Sequence, residues 1–364
     1  MELPQLDDYQ ALFLADTPLL DVRAPIEFSA GAFPGTTNFP LLNDREREII
    51  GTAYKQQGRE SAIALGYSMA TAEVQQQRVA PWAKFVAQHP QGALYCFRGG
   101  MRSKISQQWI FENTGIVYPR VKGGYKAMRR FLLQEIENCA QNFQITLLSG
   151  RTGSGKTMLL QQLKNQIDLE AIYHHLGSAF GNRPLPQPSQ IDIENALAIA
   201  LLKHRINKSS TLILEDESAS IGSRKLPDVL FAQMKQAPVV IVNVDIATRV
   251  ENIFQEYIVT AYQQYQSVFG ETQGQQIWAN HLFNSLEKIK RRLGGDRYTE
   301  VHNLMTQAIA NSLQHQQHDD HRACIEYLLT HYYDPMYDYQ LQKKQARVVF
   351  TGDSSQVVKY LQAL

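Results

Sequence analysis

Cysteine is scarce in this chain. There are three, Cys96, Cys139 and Cys324, far apart and none in a CxxC pair. That pattern argues against a disulfide framework and against a structural zinc site, and it suits a reducing cytoplasm. Long apolar runs are also missing. The longest lies near LAIALL at 197–202, far short of the ~18 residues that suggest a membrane span. The opening residues, MELPQLDDYQ, are acidic and lack the apolar core of a secretory signal. Neither sign of charge is in excess: 36 Lys and Arg against 35 Asp and Glu leave a net charge of +1. This excludes a uniformly basic nucleic-acid coat and an acidic solvating tail, though not a local basic face. No period of 20–50 residues recurs, so a solenoid is excluded too.

What is present is an ordinary globular balance, 44% hydrophobic and 20% charged over 364 residues, long enough for two domains at roughly 150 residues each. Apolar runs predict strands at 18–22 (PLLDV), 93–97 (ALYCF) and 117–121, with helices around 44–54, after Arg102 and over 125–140. Strands alternating with helices imply a parallel α/β sheet. A second α/β unit starts at 144–148 (QITLL) and continues through a Gly-rich turn into a helix to about Gln166. After a proline-rich loop at 182–190, a buried helix is expected at 191–206 and strands at 211–214 and 238–244. From about Thr248 the spacing turns helical: Val250, Ile253, Phe254, Tyr257, Ile258 and Ala261 share one face, as do Leu282, Leu286, Ile289 and Leu293. A strand at 347–351 and a Ser-capped helix at 354–364 close the chain. If this pair rejoins the second sheet, the helices at about 248–340 are an insertion. The expected domains are 1–138 and 139–364.

Two segments carry chemistry. The first is Cys96-Phe97-Arg98-Gly99-Gly100-Met101-Arg102-Ser103, at a strand-to-helix turn. Such a turn points backbone N–H groups inward, favouring an anion and a thiolate. Arg98 and Arg102 add positive charge for a tetrahedral anion, and Gly99 and Gly100 let the backbone approach it. A lone cysteine is more often an inert core residue; the flanking arginines and glycines reverse that expectation, making Cys96 a candidate nucleophile.

The second is Gly150-Arg151-Thr152-Gly153-Ser154-Gly155-Lys156-Thr157, which fits G-x-x-x-x-G-K-[ST] after a strand and before a helix. Gly150, Gly153 and Gly155 shape a cradle for a diphosphate, Lys156 neutralises it and Thr157 is placed to hold Mg²⁺. The strand ending Glu215-Asp216-Glu217 is like a Walker B element, with Asp216 the expected metal partner of Thr157. A P-loop reports a bound polyphosphate and says nothing of which one.

The first segment resembles the rhodanese domain, together with Asp21-Val22-Arg23, Glu27-Phe28, the run from Gly31 to Pro40 and Val121-Lys122-Gly123-Gly124-Tyr125. Two departures stand out. Ala32 and Phe33 replace the family's His and Ile, and the spacing is Cys-x5-Arg rather than Cys-x4-Arg. The longer loop suits a larger anion than thiosulfate. The long Asp21-to-Cys96 interval implies a helical insertion at roughly 43–80.

Further segments match one family in order: Ala62–Gly66, His174–Gly181, Glu215–Ser218, Ile221-Gly222, Leu226-Pro227, Arg292–Gly295 and Tyr332–Gln340. Together they resemble the bacterial tRNA 2-selenouridine synthases along essentially the whole chain. The resemblance implies a cytoplasmic transferase acting on the wobble uridine of lysine, glutamate and glutamine tRNAs. Geranyl diphosphate would S-geranylate 2-thiouridine. Selenophosphate, from selenophosphate synthetase, would then replace the geranylated sulfur through an S-selanyl intermediate on Cys96. Tightly bound cofactors are not expected beyond Mg²⁺ at the P-loop, nor is a membrane partner. A phosphatase or sulfurtransferase with a nucleotide-dependent P-loop switch, and a non-catalytic tRNA-binding adaptor, stay open as other readings.

For tRNA contact the densest basic run is Lys288, Lys290, Arg291, Arg292 and Arg297, with a second at Lys126, Arg129 and Arg130. Tyr332, Tyr333, Tyr337 and Tyr339 are candidates for stacking on an unstacked base. His315, His318, Asp319, Asp320 and His321 suit no familiar metal spacing and read as a polar surface loop.

Overall fold

The computed structural model describes residues 3–206 and 210–364. Contacts divide the chain into two compact units, Met1–Asn138 with Ser189–Lys203, and Cys139–Pro188 with His204–Leu364. The division differs from a single cut after residue 138. The Ser189–Lys203 stretch belongs with the first unit because Asp192 accepts the Ala32 N–H at 2.7 Å and Asn195 donates to the Ala32 carbonyl at 2.6 Å.

In the first unit, β1 (Gln5–Leu6), β2 (Leu19–Asp21), β3 (Thr37–Asn38), β4 (Ala93–Tyr95) and β5 (Arg120–Val121) form a parallel sheet in the order β1-β5-β4-β2-β3. β2 and β4 are buried throughout, as expected for strands covered on both faces. Around them lie α1 (Tyr9–Leu14), α2 (Pro25–Ser29), α3 (Asp44–Gln57), α4 (Arg59–Met69), α5 (Ala72–Gln88), α6 (Met101–Thr114) and α7 (Gly124–Asn142). The interval expected to hold an insertion is thus three helices. α3 starts at a capping box, Asn43 with Glu46. Gly58, at φ +87°, separates α3 from α4. The core gathers Leu20, Val22, Trp82, Leu94, Cys96 and Ile110.

In the second unit the chain passes through β6 (Gln144–Gly150), α8 (Lys156–Leu160), α9 (Leu169–Tyr173) and α10 (Gln190–Ile206), the last shared with the first unit. It continues through β7 (Thr211–Glu215), the hairpin β8 (Ser220–Ile221) and β9 (Arg224–Lys225), α11 (Asp228–Met234) and β10 (Val239–Val242). α8 stops at Leu160 rather than near Gln166. The chain leaves the helix there to lie along β7, whose Ile213 N–H donates to the Asn165 carbonyl at 2.8 Å.

A run of helices follows, from α12 (Ile246–Ile253) through α13 (Ala261–Phe269), α14 (Glu271–Leu293), α15 (Gly295–His315) and α16 (His321–Leu328) to α17 (Asp334–Lys344). Their apolar faces meet around Trp278, Leu282, Leu286, Val301 and Leu328. Then β11 (Val348–Gly352) and α18 (Ser354–Gln362) return. β11 pairs in parallel with β10, giving the order β11-β10-β6-β7. The helices are therefore inserted between two neighbouring strands of one sheet. The cap of α18 is Asp353 rather than Ser354, its side chain accepting from the Gln356 N–H. Among the described residues no helix is long and apolar enough to cross a membrane.

Candidate functional site

Cys96 follows β4 directly, and α6 begins at Met101, so residues 96–100 make the turn between them. The side chain is 2% exposed. Its thiol donates to Ser103 Oγ at 3.2 Å, and the Ser103 hydroxyl donates to the Gly100 carbonyl at 3.0 Å. The Cys96 and Phe97 carbonyls accept the N–H groups of Tyr125 and Lys126 at 2.9 and 3.0 Å. These bonds clamp the Cys96 turn onto the turn at 123–125. That clamp explains the glycines differently from the sequence expectation. A Cβ on Gly99, at φ +63°, would sit 2.6 Å from the Gly123 nitrogen, and one on Gly124 would sit 2.2 Å from the Cys96 carbonyl oxygen. Gly99 is required by the packing of one turn on the other, whereas Gly100 has open space on its Cβ side.

The two arginines separate. Arg98 is exposed, with no ion-pair partner among the described residues. Arg102, expected beside it as a free anion contact, instead binds Glu27 through two nitrogens at 2.5 and 3.1 Å. Glu27 on α2 is the acid of the Glu27-Phe28 pair. Burial, the largest single influence, would raise its carboxyl, but the Arg102 hydrogen bonds and charge, the Ala24 N–H and Arg47 together outweigh burial and hold it below its usual range. The Asp21-Val22-Arg23 motif is structural. Arg23, 1% exposed, binds Asp21 at 2.7 Å and the Gly31 carbonyl at 2.8 Å, and lies 3.9 Å from the Tyr125 ring centroid.

In the second unit the P-loop runs from the end of β6 into α8. Lys156 Nζ donates to the Gly150 carbonyl at 3.3 Å. Gly153 and Gly155 both have positive φ, at +82° and +72°. A Cβ on Gly153 would meet the Arg249 carbonyl at 2.7 Å, and one on Gly150 the Ser154 Oγ at 2.6 Å. The loop is braced from α12: Asn252 donates to the Gly153 carbonyl at 2.9 Å and Arg249 to the Thr152 carbonyl at 2.9 Å. Arg249, 2% exposed, is bound in turn by Asp334 at 2.6 and 3.0 Å, and Arg151 by Asp338 at 2.6 Å. The acids of the Tyr332–Gln340 segment thus hold the P-loop in shape. Nothing in the sequence pattern points to their partners, which lie 85 and 187 residues away.

The acid beside Thr157 is Glu215, not Asp216. Thr157 Oγ1 donates to Glu215 Oε1 at 2.8 Å and lies 3.4 Å from Glu170 Oε2. Asp216 accepts from Ser149 Oγ at 2.7 Å and from Lys344 Nζ at 2.7 Å on both oxygens. Successive residues of a strand point to opposite faces, so the two neighbours cannot both reach Thr157. Carboxylate oxygens of Glu170, Glu215 and Glu217 all lie within 4.8 Å of one another. Burial, then the charges of Glu215 and Glu217, pushes Glu170 up to about 9. Burial, then Glu215, pushes Glu217 up to about 7. Burial raises Glu215 as well, against Lys156. Two buried carboxylates, the half-buried Glu217 and a hydroxyl are a hard-oxygen set that fits Mg²⁺. Glu170 was invisible in the sequence because it comes from α9, outside any motif.

This loop opens into a cleft of about 1280 Å³ whose walls include Lys288, Arg292, Tyr332, Tyr333 and Tyr337. Tyr257, Tyr332 and Tyr333 reach it from two π-helical turns, 254–260 and 329–333, a backbone form frequent at functional sites. Lys288 and Arg292 are one helical turn apart on α14 and both exposed. Other expected contacts lie elsewhere. Lys290 pairs with Glu287 at 3.0 Å, Arg297 donates to the His331 carbonyl at 3.2 Å, and Tyr339 is 57% exposed. Arg129 is bound by Glu194 and Asn195, while Arg291, Lys126 and Arg130 are exposed. Residues 316–320 do form a loop, with Asp319 and Asp320 exposed, but His318 in it is half-buried and His321 is the buried first residue of α16. A ring nitrogen of each histidine meets Ser312 Oγ, at 2.9 and 3.1 Å, against Trp278.

Known proteins resemble this chain along its length. The model of the tRNA 2-selenouridine synthase AAA domain matches residues 143–364. A protein of Bordetella bronchiseptica named tRNA 2-selenouridine synthase is 50% identical over 97% of this chain and 96% of its own length. Proteins of the same name from Marinobacter nauticus and Pseudomonas fluorescens are 45% and 48% identical, over 98% and 97% of this chain and 97% of each relative.

Proposed function

This chain belongs to the tRNA 2-selenouridine synthase family, and on that footing we propose that it is the cytoplasmic transferase that turns 2-thiouridine into 2-selenouridine at the wobble position of lysine, glutamate and glutamine tRNAs. The second unit carries the first step. Its P-loop holds the diphosphate of geranyl diphosphate, Lys156 stabilises that diphosphate as it leaves, and the tRNA sulfur takes the geranyl carbon. The observation that carries this assignment is the cleft. At about 1280 Å³ it exceeds the ~300–1,000 Å³ of an ordinary small-ligand site. It joins the phosphate loop to the exposed Lys288 and Arg292 and to four tyrosines, which suits a diphosphate and an unstacked base together. Mg²⁺ held by Thr157, Glu170, Glu215 and Glu217 would lower the charge of the diphosphate.

The first unit, rhodanese-like in its motifs, carries the second step. Arg98 and the turn amides bind selenophosphate. The Cys96 sulfur attacks selenium, and the phosphorus–selenium bonding pair departs on phosphorus, giving an S-selanyl cysteine and phosphite. The terminal selenium then attacks C2 of the S-geranylated base, and sulfur leaves as geranylthiolate. An added thiol breaks the selenium–sulfur bond and supplies the two electrons that bring selenium to the level of the product.

The test is direct. Incubation with thiolated tRNA, geranyl diphosphate, selenophosphate and a thiol should yield geranylated and then selenated uridine by nucleoside mass spectrometry. Nucleotide turnover without either product would favour the P-loop switch instead.

A pH dependence follows from the carboxylates. Glu170 and Glu217 titrate above their unfolded values, so their contribution to stability is full below about pH 4.5 and is lost as pH rises through about 7 and about 9. The metal-free protein should therefore melt at falling temperature from pH 6 to pH 9. The gain in melting temperature on adding Mg²⁺ should grow over the same range, because cation binding displaces those protons. A magnesium effect that is flat with pH would remove these glutamates from the site.

A further inference from the structure

The first unit contains an apolar cavity that none of the chemistry above uses. It has a volume of about 240 Å³ and is walled by α3, α4, the first turn of α5 and the N-terminal half of α6. Leu42, Ile50, Ala62, Ile63, Ile105 and Trp109 line it. Its charged side chains are already engaged or at the rim: Glu46 binds Arg78 at 3.1 Å and Arg102 binds Glu27, and Arg59 is exposed. The interior therefore offers nothing to a phosphate or a ribose. The cavity adjoins the Cys96 turn, since Met101 and Arg102, which open α6 straight after that turn, are part of its wall.

Its size is informative. At about 30 Å³ per water, 240 Å³ equals some eight waters, on the order of an apolar chain of about ten carbon atoms. The mouth also exposes large apolar side chains: Tyr54 and Tyr67 are 58% and 56% exposed, and Met101 is 39% exposed. All three line this one cavity, and clustered exposed apolar surface marks a binding site.

Resting on the geranylation step proposed above, we propose that this cavity receives the geranyl chain of the S-geranylated base while selenium replaces sulfur. The chain anchors the substrate by its leaving group. The C2–Se bond forms, the C2–S bond breaks with its electron pair on sulfur, and geranylthiolate is released, to be protonated by water. The three-helix interval between Asp21 and Cys96 is then the specificity element of the second step, and it acts on the substrate rather than on selenophosphate.

The test uses the full chain and a stem–loop RNA made with either S-geranyl- or S-methyl-2-thiouridine, so that the first step is not needed. With selenophosphate and thiol, wild type should select the geranylated RNA by at least about tenfold in kcat/KM. Ile63→Trp and Ala70→Phe, both of half-buried cavity residues, should bring the two substrates near parity by slowing only the geranylated one. The unchanged S-methyl rate reports that each variant is folded. Equal use of the two RNAs by wild type overturns the proposal without any variant. Retention of the preference in both variants overturns it as well. If wild type selenates neither RNA, the proposed function itself fails and the cavity assignment falls with it. Selenation of both at equal rates leaves the function standing and removes only the cavity.

Discussion

Replacing Lys156 with alanine should slow geranylation by about a hundred- to a thousandfold, the usual cost of deleting one preorganised group that stabilises developing charge. Selenation of RNA that already carries an S-geranyl group should continue at the wild-type rate. The reason lies in the balance of charge around the loop. Glu170, Glu215, Glu217 and Glu256 all have raised pKa values, and Lys156 is a charge that opposes the rise in each. Without its ammonium group, a departing diphosphate would lose the cation that opposes all four of these carboxylates, which the backbone N–H groups and Mg²⁺ would only partly replace. Single-turnover appearance of the geranylated nucleoside, measured beside selenation of pre-geranylated RNA, checks both halves. Full geranylation with loss of selenation alone would move geranyl diphosphate away from the P-loop.

The two chemical loops are legible in the sequence because each is local. Residues 96–103 and 150–157 lie within one turn of the chain, and a strand before and a helix after are enough to recognise them. The parallel sheets are legible for a related reason: β4 and β10 are short, continuous apolar runs and β6 is apolar but for Thr146 along Ile145–Leu148, the mark of strands buried on both faces. What escapes the sequence depends on contacts between distant residues. The partner of Arg102 is Glu27, 75 residues away. The partner of Arg249 is Asp334, 85 residues away. Glu170 joins Glu215 and Glu217 only because the chain leaves α8 early and runs beside β7. Asp216 is the more familiar metal partner in an acidic strand end, yet strand alternation gives Thr157 to Glu215 and leaves Asp216 to Lys344. Composition places His318 and His321 in a polar loop; His318 is in that loop, but His321 opens α16, and Ser312 and Trp278 draw both rings inward. Motif recognition finds the places of chemistry; the side chains that tune them come from tertiary contacts.

Changing Cys96 to serine should abolish selenation, by at least about a thousandfold, while geranylated tRNA accumulates. Serine is nearly the same size, and its hydroxyl keeps a donor for Ser103 Oγ, so the clamp between the turns at 96–100 and 123–125 should survive. The loss would then belong to the sulfur itself. Phosphorus reports the route independently. If the Cys96 sulfur takes selenium, the phosphorus–selenium pair remains on phosphorus, so ³¹P spectra of the wild-type reaction should show phosphite. Turnover should also stop after one equivalent unless a thiol is supplied. Cys96 is 2% exposed, and of the two glycines in its turn Gly100 is the one with open space beside it, so selenophosphate is expected to enter on that side. Gly100→Leu should therefore slow the first half-reaction without disturbing the Gly99 contact to Gly123. The opposite outcome is equally readable. Phosphate as the product, multiple turnovers without thiol and selenation within about tenfold of wild type in Cys96→Ser would mean that selenophosphate attacks C2 directly. Cys96 would then be a packed residue of the anion-binding turn and not its nucleophile.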